Sequence, residues 1–126
     1  MTNTLVKFSN PLITRDGDQR AFVEFNGFKT LWFNTGTLCN IACSNCYIES
    51  SPKNDRLVYL SLADVVEFLD ELEKLSGKTC EIGFTGGEPF LNPDFLKMLE
   101  ECQRRDLSIM VLTNAMKPLQ NKIDGM

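Results

Sequence analysis

Hydrophobic and polar positions along the chain follow two alternating spacings, which predict strands and helices in turn. The segments 28–34, 79–85 and 107–112 are rich in apolar residues and are predicted as strands, and in 79–85 apolar and other residues alternate with period two. Apolar residues recur every three or four positions from Leu62 and again from Phe95, which predicts two helices between these strands. Strands that alternate with helices form a parallel sheet with right-handed crossovers, so the predicted fold class is α/β.

Capping residues set the expected ends of these helices. Ser61 is a predicted N-cap, because Asp64 follows three residues later as in a capping box, and Gly77 is the expected C′ residue of the same helix. Asn92 is the predicted N-cap of the second helix, with proline at its first helical position. A short third helix is predicted from Pro118.

Residues 1–27 read as an extension that precedes the parallel unit, which we assign to residues 28–126. Asp16-Gly17 is a turn signal, and Asn26-Gly27 separates the apolar segments 21–25 and 28–33. Asn-Gly supplies the two positive φ angles of a type I′ turn. The pattern therefore predicts an N-terminal β-hairpin in which 21–25 pairs antiparallel with the first core strand and covers its edge.

Composition narrows the class of protein. The 126 residues carry a net charge of −4 without a basic cluster, which indicates neither a nucleic acid nor an anionic membrane as partner. No signal peptide or transmembrane stretch is recognisable. Five cysteines form an odd set, which favours free thiols in the reducing cytoplasm over a disulfide framework. The chain has no histidine, so acid–base and metal chemistry fall to other groups.

The candidate chemistry lies in three short motifs. Cys39, Cys43 and Cys46 are spaced CxxxCxxC, and three soft thiolates leave one ligand position of a four-coordinate site open. Residues 85–89 read Thr-Gly-Gly-Glu-Pro, and Thr113-Asn114 follows the third strand. Because each motif follows a parallel strand, all three are expected at one edge of the sheet, where ligands bind in such folds.

CxxxCxxC followed by Gly-Gly-Glu-Pro resembles the radical S-adenosylmethionine (radical SAM) superfamily. The resemblance implies that Cys39, Cys43 and Cys46 bind three irons of a [4Fe-4S] cluster. The amino and carboxylate groups of S-adenosylmethionine would chelate the fourth iron. It further implies reductive cleavage to a 5′-deoxyadenosyl radical, which abstracts hydrogen from a substrate, with a flavodoxin or ferredoxin as electron donor. The protein positions and shields these groups.

The resemblance also assigns the cofactor-binding residues. Glu88 would accept hydrogen bonds from the cofactor's ammonium group. Gly86 and Gly87 would let the ligand approach the backbone, and Pro89 would stiffen the turn. Near the adenine the family commonly has an aromatic residue before the third cysteine; here that position is Asn45, and Tyr47 follows the cysteine. Thr113 and Asn114 resemble a strand end near the methionine part of the cofactor, with Ala115 where the family has glycine.

Two alternatives remain open from the sequence. A structural zinc site needs a fourth ligand, which Cys80 or Cys102 could supply, although both cysteines are expected in the hydrophobic core. The strand aromatics Trp32 and Phe33 are also expected in the core. A noncatalytic iron–sulfur module is the other alternative. The family core is a partial TIM barrel of six β/α units, and about three are recognisable here. The chain is therefore expected to be incomplete alone, with a complementing chain as a possible partner and an unidentified small-molecule or peptide substrate.

Overall fold

The fold is a three-stranded parallel sheet with helices between its strands. The computed structural model describes residues 9–76 and 79–123. Its elements are β1 (Thr30–Asn34), α1 (Leu62–Ser76), β2 (Glu81–Thr85), a 3₁₀ turn (Pro89–Leu91), α2 (Phe95–Arg104), β3 (Ser108–Val111) and α3 (Lys117–Gln120). The strand order is β1-β2-β3, with both pairs parallel. The predicted α/β class and the alternation of strands and helices are confirmed.

The hydrophobic core lies between one face of the sheet and the two longer helices. Phe33 of β1 is in register with Phe84 of β2, and their rings stack with centroids 5.6 Å apart. Phe95 of α2 meets Phe84 edge-on at 5.2 Å. The other core side chains are Val65, Leu69, Leu72, Cys80, Ile82, Phe90, Met98, Cys102 and Leu107. The expectation that Cys80 and Cys102 are buried core residues is therefore confirmed.

The opposite face of the sheet carries the only tryptophan of the chain. Trp32, Gly83 and Met110 are in register on this face, since successive side chains of a strand point to opposite sides. Trp32 is 45% exposed, so its prediction as a core residue was wrong, whereas that of Phe33 was right. The indole lies over Gly83, where an added Cβ would be 2.4 Å from the ring.

Helix α1 begins as its sequence predicts. The Ser61 N–H donates to Asp64 Oδ2 at 3.1 Å and the Asp64 N–H donates to Ser61 Oγ at 3.2 Å, which is the reciprocal bonding of a capping box. Gly77, its predicted C′ residue, lies outside the described residues. Among the described residues, no helix combines the length and apolar composition that a membrane span requires.

The predicted N-cap of α2 was wrong by two residues. The residue that precedes the helix is Asp94, and Asn92 instead ends the 3₁₀ turn. The Asn92 side chain donates to the carbonyl oxygens of Thr35, at 3.1 Å, and Leu60, at 2.8 Å. It is fully buried: its amide nitrogen joins three segments, while its Oδ1 accepts the Asp94 N–H at 2.9 Å just before α2.

The predicted N-terminal hairpin does not form. Residues 21–25 are not a strand, and within the described part of the chain β1 pairs only with β2. A type I′ turn needs positive φ at both central residues, but only Gly27 has it. The Phe28 N–H is donated to Ser76 Oγ, and Phe22 and Val23 are 79% and 90% exposed.

A smaller antiparallel turn occurs earlier in this extension. Asp16-Gly17 forms the predicted turn, with Gly17 at φ +90° and an isolated antiparallel bridge between Ile13 and Gln19. Residues 1–8 of the extension lie outside the described residues.

Arg105, at the end of α2, joins the two longer helices. Its guanidinium contacts Asp70 at 2.7 Å and Glu73 at 3.4 Å, both on α1, and Glu101 at 2.7 Å on its own helix. Its side chain is 7% exposed. Arg105 is therefore a buried link between the two helices.

Candidate functional site

The three sequence motifs meet at the carboxyl edge of the sheet, as predicted. Thr35 follows β1, and its N–H and hydroxyl both donate to the Thr85 carbonyl at the end of β2, at 2.8 and 3.0 Å. The segment between Thr35 and α1 contains the three cysteines. The loops after β2 and β3 lie against this cysteine segment through the contacts described below.

The cysteine segment runs along the Gly-Gly-Glu-Pro loop through backbone hydrogen bonds. The Gly87 N–H donates to the Gly36 carbonyl at 2.8 Å, and the Glu88 N–H donates to the Leu38 carbonyl at 3.1 Å. A Cβ at position 87 would lie 2.1 Å from the Leu38 oxygen. Gly86 has φ +134°, and a Cβ there would lie 2.7 Å from the Gly36 oxygen. The group that approaches these glycines is therefore the chain's own backbone.

Glu88 joins the loop after β2 to the end of β3. Its carboxylate accepts hydrogen bonds from the Thr113 hydroxyl at 2.8 and 3.0 Å and from the Asn114 N–H at 2.9 Å. It also accepts the Phe90 N–H at 3.2 Å, which caps the 3₁₀ turn that begins at the buried Pro89. The residue is only 1% exposed. Since a carboxylate has about four acceptor sites, these three donors leave it capacity for one more.

Asn114 completes the set of contacts by reaching the cysteine segment. Its Nδ2 lies 3.7 Å from Cys39 Sγ and 2.9 Å from Asn40 Oδ1. The next residue, Ala115, has φ +56°, a conformation that favours glycine. The departure from the family's glycine at this position therefore introduces backbone strain.

The three cysteines have different surroundings. Cys39 is buried, Cys46 is half-buried and Cys43 is exposed, and all three are free thiols. The Ser50 N–H donates to Cys46 Sγ at 3.2 Å, and the backbone N–H groups of Ser50 and Ile48 hold the pKa of the Cys46 thiol below its usual value. A lowered pKa favours the thiolate, which is the form that binds metals.

The donor set fits an iron–sulfur cluster better than a single zinc ion. A closed zinc site needs four protein ligands in one tetrahedral shell, and the cysteine segment supplies three thiols. A [4Fe-4S] cluster binds each thiolate through a different iron, so its ligands lie farther apart. Cys80 and Cys102, the candidate fourth zinc ligands, are in the core.

The residues predicted near the adenine are at the surface of the site. Asn45 is exposed, and its side chain accepts a hydrogen bond from Ser44 at 3.4 Å. Tyr47 is also exposed, but its hydroxyl lies 3.3 Å from Thr85 Oγ1 at the end of β2. Of the two, Tyr47 is the one that contacts the sheet edge.

Two residues that help build the site were not predicted as site residues from the sequence. Asn40 Oδ1 accepts a hydrogen bond from the side-chain amide of Asn114. The side-chain amide of Asn92 donates to the carbonyl oxygen of Thr35, where the cysteine segment begins. Asn40 lies inside the cysteine motif, so its position was a signal that could have been used. The contacts of Asn92 depend on tertiary structure and left no such signal.

These features define a cysteine-loop site at the edge of a parallel β/α sheet, and comparison with known families places it. Residues 33–126 match the Radical SAM superfamily. The chain belongs to this superfamily, whose members use a [4Fe-4S] cluster and S-adenosylmethionine.

The chain is similar to known proteins over only part of the length of each. The chain is 37% identical to the antilisterial bacteriocin subtilosin biosynthesis protein AlbA of Bacillus subtilis, over 60% of this chain and 16% of the relative. It is 32% identical to an S-adenosylmethionine-dependent nucleotide dehydratase of Selenomonas ruminantium, over 68% and 29%. It is 30% identical to a 7-carboxy-7-deazaguanine synthase of Methanopyrus kandleri, over 81% and 43%. The chain thus spans less than half of each of these relatives.

Proposed function

We propose that this chain is the cluster- and cofactor-binding half of a radical SAM enzyme. The observation that carries the proposal is the contact between Asn114 Nδ2 and Cys39 Sγ, because it joins the last of three strand ends to the first cysteine. Together with the bonds of Glu88 to Thr113 and Asn114, it brings all three family motifs into one site.

The roles of the side chains follow from the donor groups present. Cys39, Cys43 and Cys46 would hold three irons of a [4Fe-4S] cluster, and the missing fourth thiolate leaves one iron for S-adenosylmethionine. When bound and reduced, this pair supplies a 5′-deoxyadenosyl radical for hydrogen abstraction. Glu88 has one remaining acceptor site for the cofactor's ammonium group, while its other bonds hold the loops in place. Tyr47 is the aromatic side chain available on the adenine side.

The remaining partners belong to the same proposal. A complete barrel needs further β/α units, supplied by a longer form of the polypeptide or by a complementing chain. Two observations support this. Within the described residues β3 is an edge strand. A groove of about 580 Å³ between α2 and β3 is lined by five apolar residues, among them Leu99 and Ile109, and by Glu100, Gln103 and Asp106. A monodisperse, cooperatively unfolding monomer of the 126-residue chain would argue against it.

We further propose a small-molecule or peptide substrate held by those additional units. A flavodoxin or ferredoxin would supply the electron, and a reducing, cytoplasmic compartment would keep the five free thiols reduced.

Anaerobic reconstitution with iron and sulfide, followed by electron paramagnetic resonance (EPR), tests the proposal. Reduced protein should give a [4Fe-4S]⁺ signal that changes shape when S-adenosylmethionine is added. A signal that ignores the cofactor would instead favour a noncatalytic iron–sulfur module. Folded protein that binds zinc and holds no acid-labile sulfide would overturn the cluster assignment.

Two cysteine variants provide a matched comparison. Cys43→Ala should abolish cluster uptake yet leave the stability of the metal-free protein unchanged, because Cys43 is exposed. Cys80→Ala removes a buried thiol from the core and should keep the cluster while lowering stability. Equal cluster loss in both variants would contradict the ligand assignment.

A further inference from the structure

The Asn114 side chain is held in one orientation by its neighbours. Its Oδ1 accepts the Met116 N–H at 3.1 Å, and only the oxygen of an amide can accept. The nitrogen therefore faces Asn40 Oδ1 at 2.9 Å and Cys39 Sγ at 3.7 Å. Sulfur hydrogen bonds are longer than those to oxygen, so the amide is placed as a donor to this thiol.

The backbone of Asn114 is fixed as well. Its N–H donates to Glu88 Oε2 at 2.9 Å, and Thr113, which precedes it, donates its hydroxyl to the same carboxylate. Glu88 is buried, so this anchor does not compete with water. The donor to Cys39 is therefore preorganised before any ligand is present.

The charge at Cys39 makes this contact consequential. A cysteine that binds iron does so as a thiolate, and adding an electron to the cluster increases the negative charge on its sulfurs. A hydrogen-bond donor stabilises the reduced form more than the oxidised form and so raises the reduction potential. Cys39 is buried, so the amide is a donor that bulk water would not readily replace.

We propose that Asn114 is a positioning residue that raises the reduction potential of the cluster through a hydrogen bond to Cys39. This inference rests on the proposed function, since it needs the cluster to be bound. It gives Asn114 a role toward the cluster that differs from the role toward S-adenosylmethionine implied by the family resemblance.

Asn114→Leu tests the inference, since leucine has a similar size and no donor. Loss of an outer-shell partner of a metal ligand commonly costs about 10- to 100-fold in metal affinity or activity. We expect an effect on the reduction equilibrium at the lower end of this range, about tenfold. A tenfold less favourable reduction corresponds to a midpoint potential lower by about 59 mV for one electron. The readout is a potentiometric titration followed by the [4Fe-4S]⁺ EPR signal, with no substrate required.

A control and a second variant separate the possible explanations. Gln120→Ala removes an amide that donates to the Ala115 carbonyl in the same loop at 3.4 Å and should leave the potential unchanged. Asn114→Asp retains the acceptor for the Met116 N–H but cannot donate to sulfur when ionised, so its potential should also fall.

Each outcome has one meaning. A lower potential in both Asn114 variants, with wild-type iron and sulfide content, supports the proposal. An unchanged potential overturns it. A raised potential also overturns it, since water entering a loosened loop would stabilise the more negative reduced form. Failure of the wild-type protein to take up a cluster would instead count against the proposed function.

Discussion

The second glycine of the Gly-Gly-Glu-Pro loop, Gly87, has two possible roles: it allows the cysteine segment to pack closely, or it allows a ligand to approach the backbone. Adding a methyl group at this position distinguishes between them. The added Cβ would lie 2.1 Å from the Leu38 oxygen, 2.6 Å from its carbonyl carbon and 2.9 Å from the Thr37 oxygen. All three atoms belong to the backbone, so no side-chain rotation can relieve the overlap. Gly87→Ala therefore forces the cysteine segment and the loop after β2 apart.

The expected cost follows from what this separation breaks. Two backbone hydrogen bonds, from Gly87 to Gly36 and from Glu88 to Leu38, would be lost at about 1 kcal/mol each. Local overpacking adds about 1–3 kcal/mol. Gly87→Ala should thus lower the free energy of unfolding by about 3–5 kcal/mol, even in protein that contains neither cluster nor cofactor.

Urea unfolding followed by circular dichroism measures this cost directly. Gly17→Ala is the control, because it places a methyl group at a glycine of φ +90° with no atom within 4 Å. That change should cost only the left-handed strain of about 1–2 kcal/mol. Unchanged stability of Gly87→Ala, combined with lost S-adenosylmethionine binding, would refute the packing argument and favour ligand approach as the reason for glycine.

Two further predictions concern the sheet and the helices. Gly83→Ala should push the Trp32 indole off the sheet face, because the new Cβ would lie 2.4 Å from the ring. The fluorescence emission of this single tryptophan should then shift to longer wavelength, and an unchanged spectrum would contradict the contact. The guanidinium groups of Arg104 and Arg105 hold the pKa of the Glu101 carboxylate at about 2, below its usual 4.5. The ionised carboxylate therefore stabilises the fold fully above pH 4.5, and this contribution is lost as the pH falls through about 2. The difference in unfolding free energy between wild type and Arg105→Met should therefore shrink from pH 5 to pH 2, and a difference independent of pH would exclude this ion pair as its source.

Local signals predicted the features that depend on local structure. The helical spacing from Leu62, the capping box of Ser61 and Asp64, and the turn at Asp16-Gly17 each involve residues a few positions apart. The shared sheet edge was also predictable, because parallel strands place their carboxyl ends together whatever the side chains are. The family match rests on the cysteine spacing and the Gly-Gly-Glu-Pro segment, both of which are contiguous in sequence.

Features decided by distant contacts could not be predicted in this way. The Asn26-Gly27 signal is a genuine hairpin signal, but the Phe28 N–H is donated to Ser76 Oγ, 48 residues away. Trp32 is a large apolar residue of the kind found in cores, and only the strand register shows that it lies on the uncovered face of the sheet. Asn92 has the sequence context of a helix cap, and its Oδ1 accepts the Asp94 N–H, but the bonds of its amide nitrogen to Thr35 and Leu60 depend on distant residues.

The candidate site depends on a closed set of contacts among three loops. The cysteine segment bonds to the loop after β2 through the Gly36 and Leu38 carbonyls, and that loop bonds to the end of β3 through Glu88. The end of β3 returns to the cysteine segment through Asn114 and Cys39. Because each loop is fixed by the other two, a one-residue shift of β3 would move Asn114 away from both Glu88 and Cys39. The register of the parallel sheet therefore controls the surroundings of the first cysteine, and the glycines of the second loop are needed for the three loops to approach closely enough.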